Sequence, residues 1–188
     1  MTQRFLILLF GLTLAYGAHA ANPQVEMKTN MGTITLELYP DKAPKTVENF
    51  LRYVKSGFYK GTVFHRVIRN FMMQGGGFDA GLQQKETLAT IQNEAGNGLR
   101  NETYTLAMAR RPDPHSASSQ FFINTRDNDF LNFSSPTRQG FGYCVFGRVV
   151  KGMDVVDSIS AVRTGPGGPF PSDVPEKPVI IEEVRLLP

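Results

Sequence analysis

Residues 64–77, with the sequence FHRVIRNFMMQGGG, contain the side chains whose types and spacing could support chemistry. Arg66 lies among large apolar side chains, Gln74 follows them, and three glycines end the stretch. Arginine is always charged and offers a planar, rigid set of donors. The stretch contains no nucleophile, metal-ligand cluster or phosphate loop. Such a site can hold an apolar group and direct a fixed cation at it, so we predict non-covalent chemistry.

The same residues also have plainer interpretations. Taken alone, Arg66 is a solvated charge on a strand, and His65 is a hydrogen-bonded structural histidine. The glycines at 75–77 lack the Lys and Ser/Thr of a phosphate loop, and they favour a sharp turn or close backbone approach. The histidines (His19, His65 and His115) do not pair with Cys, Asp or Glu at metal-ligand spacing. We predict no metal and no cofactor.

A second candidate segment runs from Gln120 to Asn124. In a strand, Gln120, Phe122 and Asn124 face one way, and Phe121 and Ile123 face the other. Because one face of a barrel strand fills the interior, Phe121 and Ile123 are predicted to point inward. An outward Phe122 beside Gln120 then indicates a binding patch, or alternatively a phenylalanine covered by a loop.

A hydrolytic site is the remaining chemical alternative. His115 is followed by Ser116, Ser118 and Ser119. A nucleophile elbow is missing, however, and residues 112–114 (Pro-Asp-Pro) indicate a loop. We therefore exclude hydrolysis, and the lack of a phosphate loop excludes phosphate transfer.

The first twenty residues have the pattern of an export signal. Arg4 is followed by an apolar run from Phe5 to Leu14, and residues 18–20 (Ala-His-Ala) form a small-x-small cleavage site. We predict cleavage after Ala20; the alternative is an N-terminal anchor helix. The remaining 188 − 20 = 168 residues fit one domain, residues 21–188.

The charge and the cysteine content limit which classes of partner and which cellular compartment the sequence favours. Without Arg4 the balance is 19 − 17 = +2, and the basic residues form no cluster, so nucleic-acid binding is not expected. Cys144 is the only cysteine, which excludes an intramolecular disulfide. Its apolar neighbours predict a buried, inert thiol. A secreted chain without disulfides suits a bacterial periplasm, and no stable membrane association is expected after cleavage.

Hydrophobic periodicity predicts the elements that must position these residues. Residues 33–39 alternate like a half-buried strand. After Pro44, apolar residues recur at helical spacing up to Gly57, which predicts one amphipathic helix. Residues 79–103 indicate a long ordered surface loop, and residues 165–178 are rich in Pro and Gly. Further strands are predicted at 62–68, 71–74, 104–109, 120–124, 143–150 and 179–187, and a second helix at 153–159.

Many short strands with two helices predict a mainly β fold. An antiparallel barrel removes exposed sheet edges by closing on itself. We therefore predict a closed antiparallel β-barrel in a single domain. Ligand uptake inside it, as in a lipocalin-like carrier, is a weaker alternative because the inward positions are large and apolar.

Residues 64–77 together with 119–123 (SQFFI) resemble the cyclophilin family of peptidyl-prolyl cis-trans isomerases. Further matches in family order cover nearly the whole mature chain: residues 32–38, 43–50, 106–109 and 145–150. With the export signal, the chain resembles a bacterial periplasmic cyclophilin. The resemblance implies a closed eight-stranded antiparallel β-barrel capped by two α-helices, with the active groove on its outer wall.

The resemblance also implies the site residues. The catalytic residues are expected to be Arg66, Phe71, Gln74 and Phe122. The substrate-binding residues are expected to be Met72, Ala109, Arg110, Gln120, Phe130, Leu131 and Tyr143. Within these sets, an apolar pocket for the proline ring is formed by Phe71, Met72, Phe122 and Leu131.

The chain departs from common family residues in four places. Residues 69–70 (Arg-Asn) replace Pro-Gly in a turn beside the site, and Arg110 replaces a frequent Asn. Phe130 stands where many eukaryotic members have Trp, and Tyr143 where they have His. Because Phe130 lacks the Trp N–H donor, we expect weak cyclosporin binding.

The function implied is acceleration of rotation about Xaa-Pro bonds in unfolded or flexible polypeptides, which assists the folding of exported proteins. Twisting the amide makes its nitrogen an acceptor, to which Arg66 can donate. The alternative is a non-catalytic chaperone or adaptor that binds proline-containing segments. Because no long exposed apolar stripe is present, a monomer is expected.

Overall fold

A computed structural model describes residues 21–188, so the predicted export signal lies outside the described residues. These residues form ten strands and two α-helices. The helices are α1 (Pro44–Lys55) and α2 (Met153–Ser160). The strands are β1 (Gln24–Thr29), β2 (Gly32–Leu38), β3 (Thr62–Ile68), β4 (Met72–Asp79), β5 (Thr105–Met108), β6 (Phe121–Asn124), β7 (Val145–Lys151), β8 (Thr164–Gly167), β9 (Phe170–Pro175) and β10 (Ile181–Leu186).

Eight of these strands form one antiparallel sheet in the order β10-β1-β2-β7-β5-β6-β4-β3. Its two edges meet at an isolated bridge between Val63 and Ile180, with the Phe64 amide donating to the Val179 carbonyl at 3.0 Å. The sheet is therefore a nearly closed barrel, and the predicted full closure is wrong. Pro178, next to this junction, has no amide hydrogen with which to extend the pairing.

The barrel core holds the inward side chains of the sheet and the apolar face of α1. Phe50 packs against Phe121 and Phe146, with ring centroids 5.7 and 5.3 Å apart. Helix α1 has Pro44 in its first turn, and Gly57 follows its end with φ 69°. Both predicted helices are thus confirmed, and neither is long and apolar enough to cross a membrane. That they cap the barrel stays a prediction.

The predicted strands are confirmed to within about three residues, with one extension in β4. That strand continues to Asp79 because its glycines permit close approach. A Cβ on Gly75 would lie 3.1 Å from the Val63 carbonyl oxygen, and one on Gly77 would lie 2.4 Å from the Gln120 side chain. Gly76, with φ 78°, lies in the region that favours glycine.

Two elements differ from the sequence prediction. β1 (Gln24–Thr29) has no counterpart among the strands predicted from the sequence. Residues 165–178, rich in Pro and Gly and without a predicted strand, contain most of the antiparallel hairpin β8–β9. Proline and glycine weaken a strand prediction, but a two-stranded hairpin lying on a larger sheet tolerates them. This hairpin packs against β3, which carries Arg66.

Residues 79–103 form the predicted ordered loop. A bridge between Ile91 and Ala117 holds its middle, and a short 3₁₀ helix spans Ala95–Asn97. Cys144 is buried, as predicted, and burial raises the pKa of its thiol to about 11. A thiol with this pKa stays protonated and unreactive near neutral pH.

Candidate active site

A pocket of about 120 Å³, with an apolar floor and polar walls, lies on the outer face of the sheet. It is built from β3, β4 and β6 and from the segments that follow β5 and precede β7. Nine of the eleven predicted site residues line it: Arg66, Phe71, Met72, Gln74, Ala109, Arg110, Phe122, Leu131 and Tyr143. The two remaining residues, Gln120 and Phe130, lie at its margins.

The apolar floor is a small cluster separate from the barrel core. Met72, Phe122 and Leu131 belong to it, whereas Phe121 and Ile123 belong to the core. The predicted alternation in β6 is therefore confirmed. Phe122 is nevertheless only 4% exposed. The outward phenylalanine is thus both covered by its neighbours and part of the pocket lining, which combines the two sequence interpretations.

Arg66, on β3, provides one charged part of the pocket wall. Its side chain is 44% exposed, and its Nε lies 3.7 Å from an Asp173 carboxylate oxygen. Asp173, on β9, was missed by the sequence analysis because it lies in the Pro/Gly-rich segment. The signal that could have found it is an acidic residue between the second predicted helix and the last predicted strand. Among residues 21–188, the predicted catalytic arginine, Arg66, forms its ion pair with Asp173.

Two glutamines form the boundary between this pocket and a second cavity. Gln74 donates from Nε2 to Gln120 Oε1 at 2.8 Å. The neighbouring cavity, of about 380 Å³, is lined by Gln74, Gln120, Ala109 and Arg110 among other residues. Gln120 thus contacts the pocket through Gln74. A peptide crossing this boundary would meet amide donors and acceptors.

The segment after β5 is held in place by its own hydrogen bonds. The Ala109 amide donates to the Gln120 carbonyl at 3.0 Å. Arg110 donates from Nε to the Gly142 carbonyl at 2.9 Å, and its guanidinium lies 4.7 Å from the Tyr143 ring centroid. The Arg110 side chain is therefore part of the wall, where it supports Tyr143.

Phe130 stands at the rim. It is 74% exposed, and its ring stacks on Phe71 with centroids 5.6 Å apart and planes 23° apart. The short 3₁₀ helix Asp129–Leu131 places Phe130 outward and Leu131 inward. The rim thus offers an aromatic surface to whatever extends out of the pocket.

His65 lies behind the site, on the side of β3 that the hairpin covers. Its ring is 4.6 Å from the Phe78 ring and 5.4 Å from the Phe170 ring. Burial, with the nearby Arg66 charge as a second cause, lowers its pKa to about 4. The predicted structural role fits this packing. A hydrogen bond with the Val63 backbone opposes this lowering of the His65 pKa, whereas Nδ1 has no partner in residues 21–188.

A pocket with an apolar floor and two arginines in its walls, on the outer face of an eight-stranded antiparallel sheet, defines a cyclophilin-like protein. The solved structure of a cyclophilin type peptidyl-prolyl cis-trans isomerase from Cryptosporidium parvum superposes with a TM-score of 0.71. It shares 25% sequence identity, and the match covers 89% of this chain and 98% of that one.

The family model "Cyclophilin type peptidyl-prolyl cis-trans isomerase/CLD" matches residues 24–186. Peptidyl-prolyl cis-trans isomerase cyp18 of Streptomyces antibioticus is 61% identical over 163 residues, 87% of this chain and 98% of the relative. Peptidyl-prolyl cis-trans isomerase B of Escherichia coli is 59% identical over 162 residues, with 86% and 98% covered. The chain belongs to the cyclophilin-type peptidyl-prolyl cis-trans isomerase family and is an enzyme of this class.

Proposed function

We propose that this isomerase acts in a bacterial periplasm, where it accelerates rotation about Xaa-Pro bonds in unfolded or flexible exported polypeptides. Arg66, at the edge of an apolar pocket, is the observation that carries the catalytic part of the proposal. The export signal in residues 1–20 and the single, buried Cys144 support the compartment.

Prolyl isomerisation requires only that the twisted amide be bound more tightly than the planar one. Its barrier is about 18–20 kcal/mol, which is the resonance lost on rotating the C–N bond. Differential binding of this kind accelerates a reaction without any covalent step. The pocket formed by Phe71, Met72, Phe122 and Leu131 holds the pyrrolidine ring and excludes water from it.

Arg66 is the donor that distinguishes the twisted amide from the planar one. As resonance is lost, the prolyl nitrogen becomes pyramidal and gains a lone pair that accepts a hydrogen bond. A guanidinium is permanently charged and rigid, so it donates without reorganisation. The bond exists only near the transition state, and it therefore raises kcat.

The other predicted residues orient the peptide. Gln74 and Gln120 form an amide pair beside Arg66, and we propose that they bind the peptide main chain. Ala109 and Arg110 line both cavities and provide the opposite wall. We assign Phe130 and Tyr143 to contact with the residues that flank proline. The proposed enzyme is a monomer without stable membrane association or nucleic-acid binding.

The test is cis-to-trans conversion of a short Xaa-Pro peptide by residues 21–188 and by Arg66→Ala. We expect the variant to lose on the order of 10²–10³ in rate, as for other positioned donors. Arg69→Ala, which removes an exposed arginine outside the pocket lining, is the matched control and should retain full rate. Full activity of a folded Arg66→Ala variant would contradict the assignment.

Export is tested separately in cells. Fractionation after osmotic shock should release the protein with the periplasmic fraction, and N-terminal sequencing should begin at Ala21. A chain that retains residues 1–20 and stays with the membrane fraction would instead support the anchor-helix alternative.

A further inference from the structure

We infer that Asp173 is a positioning residue for Arg66, an inference that rests on the catalytic role proposed for that arginine. Asp173 lies on β9 of the β8–β9 hairpin, far in sequence from the residues that line the pocket. Its carboxylate lies 3.7 Å from Arg66 Nε. The hairpin therefore contributes one charged side chain to the site, although it contributes none to the pocket lining.

The hairpin is fixed on the sheet behind Arg66 by aromatic contacts. Phe170, on β9, packs against His65 of β3 at 5.4 Å and against Phe78 of β4 at 5.0 Å, measured between ring centroids. Because His65 directly precedes Arg66, this packing holds the hairpin over the strand that carries the cation. Asp173 consequently reaches Arg66 from a rigid support.

The backbone at Asp173 is unusual and determines where its carboxylate lies. Its φ is 66°, in the left-handed region that non-glycine residues seldom occupy. Aspartate and asparagine tolerate this region better than other side chains because they form local hydrogen bonds. Val174, the residue after Asp173, pairs with Gly165, and the β8–β9 register shifts between Gly165 and Gly167. Here β9 deviates from a regular strand and turns its acidic residue toward Arg66.

The contact with Asp173 is made at Nε of the Arg66 guanidinium. Arginine has five N–H donors in a fixed fork, one of them on Nε. Pairing Asp173 with Nε leaves the other four N–H donors of the guanidinium, on Nη1 and Nη2, to donate to a prolyl nitrogen. A half-exposed arginine has many rotamers. A carboxylate at Nε restricts these rotamers, so the Arg66 side chain loses less conformational entropy when the transition state forms.

The experiment combines kinetics with NMR on folded Asp173→Asn and Asp173→Glu. Asparagine keeps the backbone tolerance but removes the charge. We expect Asp173→Asn to lower kcat about two- to fivefold, the size that a half-exposed ion pair supports, with KM unchanged. Asp173→Glu should restore most of the rate. Glu176→Gln, which removes the same charge just beyond β9, should leave kcat unchanged.

A double-mutant cycle separates positioning from a purely structural role. In an Arg66→Ala background, assayed at higher enzyme concentration, Asp173→Asn should have no further effect, since coupled residues are not additive. The same loss of rate in both backgrounds, or no loss in the parent background, would overturn the inference.

NMR tests the contact independently of activity. With ¹⁵N-labelled protein, the Arg66 Nε–H should exchange with water faster in Asp173→Asn than in the parent, and unchanged exchange would also overturn the inference. If the parent protein showed no isomerase activity, the proposed function would fail, whereas the exchange measurement would still decide whether Asp173 holds Arg66.

Discussion

Arg66 on β3 and Gln74 on β4 are register partners, and Gln74 pairs in turn with Phe122 on β6. The cation, the amide and the pocket ring therefore form one row across three neighbouring strands. Since adjacent strands lie about 4.8 Å apart, the row spans roughly 10 Å, the length of about three extended residues. One Xaa-Pro segment can thus contact all three side chains at once.

The first prediction concerns the pocket end of this row. Phe122→Leu keeps an apolar side chain but removes a ring from the floor of the proposed proline pocket. We expect kcat/KM for a Xaa-Pro peptide to fall about tenfold, since a lost apolar contact in a binding pocket has roughly this effect. Protease-coupled or NMR-exchange assays measure the rate directly.

Phe121→Leu is the matched control for this substitution. Phe121 is adjacent in sequence but belongs to the barrel core, where it contacts Phe50, Tyr59 and Phe64. We expect its replacement to lower the free energy of unfolding by about 1–3 kcal/mol, with kcat/KM per folded molecule unchanged. Equal losses of kcat/KM in both variants would show that the pocket assignment is wrong.

The contrast between these two residues also shows what the sequence could predict. Period-two alternation assigned Phe121 and Phe122 to opposite faces, because side-chain direction in a strand is a local property. The alternation says nothing of what covers an outer face. The burial of Phe122 depends on Leu131 and Tyr143, which the chain brings from outside the strand, and this is a tertiary effect.

The least predictable part of the site was the hairpin that carries Asp173. Local propensity in residues 165–178 argues against strands, whereas the hairpin formed there pairs with itself and packs Phe170 on His65 and Phe78. Incomplete closure of the barrel was unpredictable for a related reason. The junction at Val63 and Ile180 joins segments more than a hundred residues apart, and local pattern does not specify such pairings.

The second prediction concerns the pH dependence of the rate. Proline isomerisation on this site moves no proton, so the chemical step should be constant between about pH 6 and 8. His65, the histidine nearest to Arg66 in sequence, has its pKa lowered to about 4 by burial and so stays neutral in this range. A bell-shaped profile of kcat/KM, with circular dichroism showing an unchanged fold, would contradict the non-covalent mechanism.

The third prediction concerns cyclosporin. Phe130 is exposed at the rim and stacks on Phe71, but its ring has no N–H to donate. We expect weak binding, and Phe130→Trp should tighten it by about tenfold, the effect of one added hydrogen bond. The chain otherwise contains no tryptophan, so the fluorescence of the introduced tryptophan side chain reports binding and gives the dissociation constant. Phe133→Trp, at another exposed phenylalanine outside the pocket, should not tighten binding.

The last prediction links the buried histidine to stability. The pKa of His65 is about 4 in the folded protein, against 6.5 for an ordinary histidine. Between these values the unfolded chain binds the proton more readily, so acidification favours unfolding. The stability contributed by neutral His65 is fully present above about pH 6.5 and declines as the pH falls toward 4, by up to about 3 kcal/mol.

His65→Phe keeps the aromatic contacts with Phe78 and Phe170 and removes this titration. Urea unfolding at pH 7 and pH 5 should therefore show a smaller loss of free energy on acidification in the variant than in the parent. An identical loss in both proteins would mean that His65 accepts its proton without unfolding.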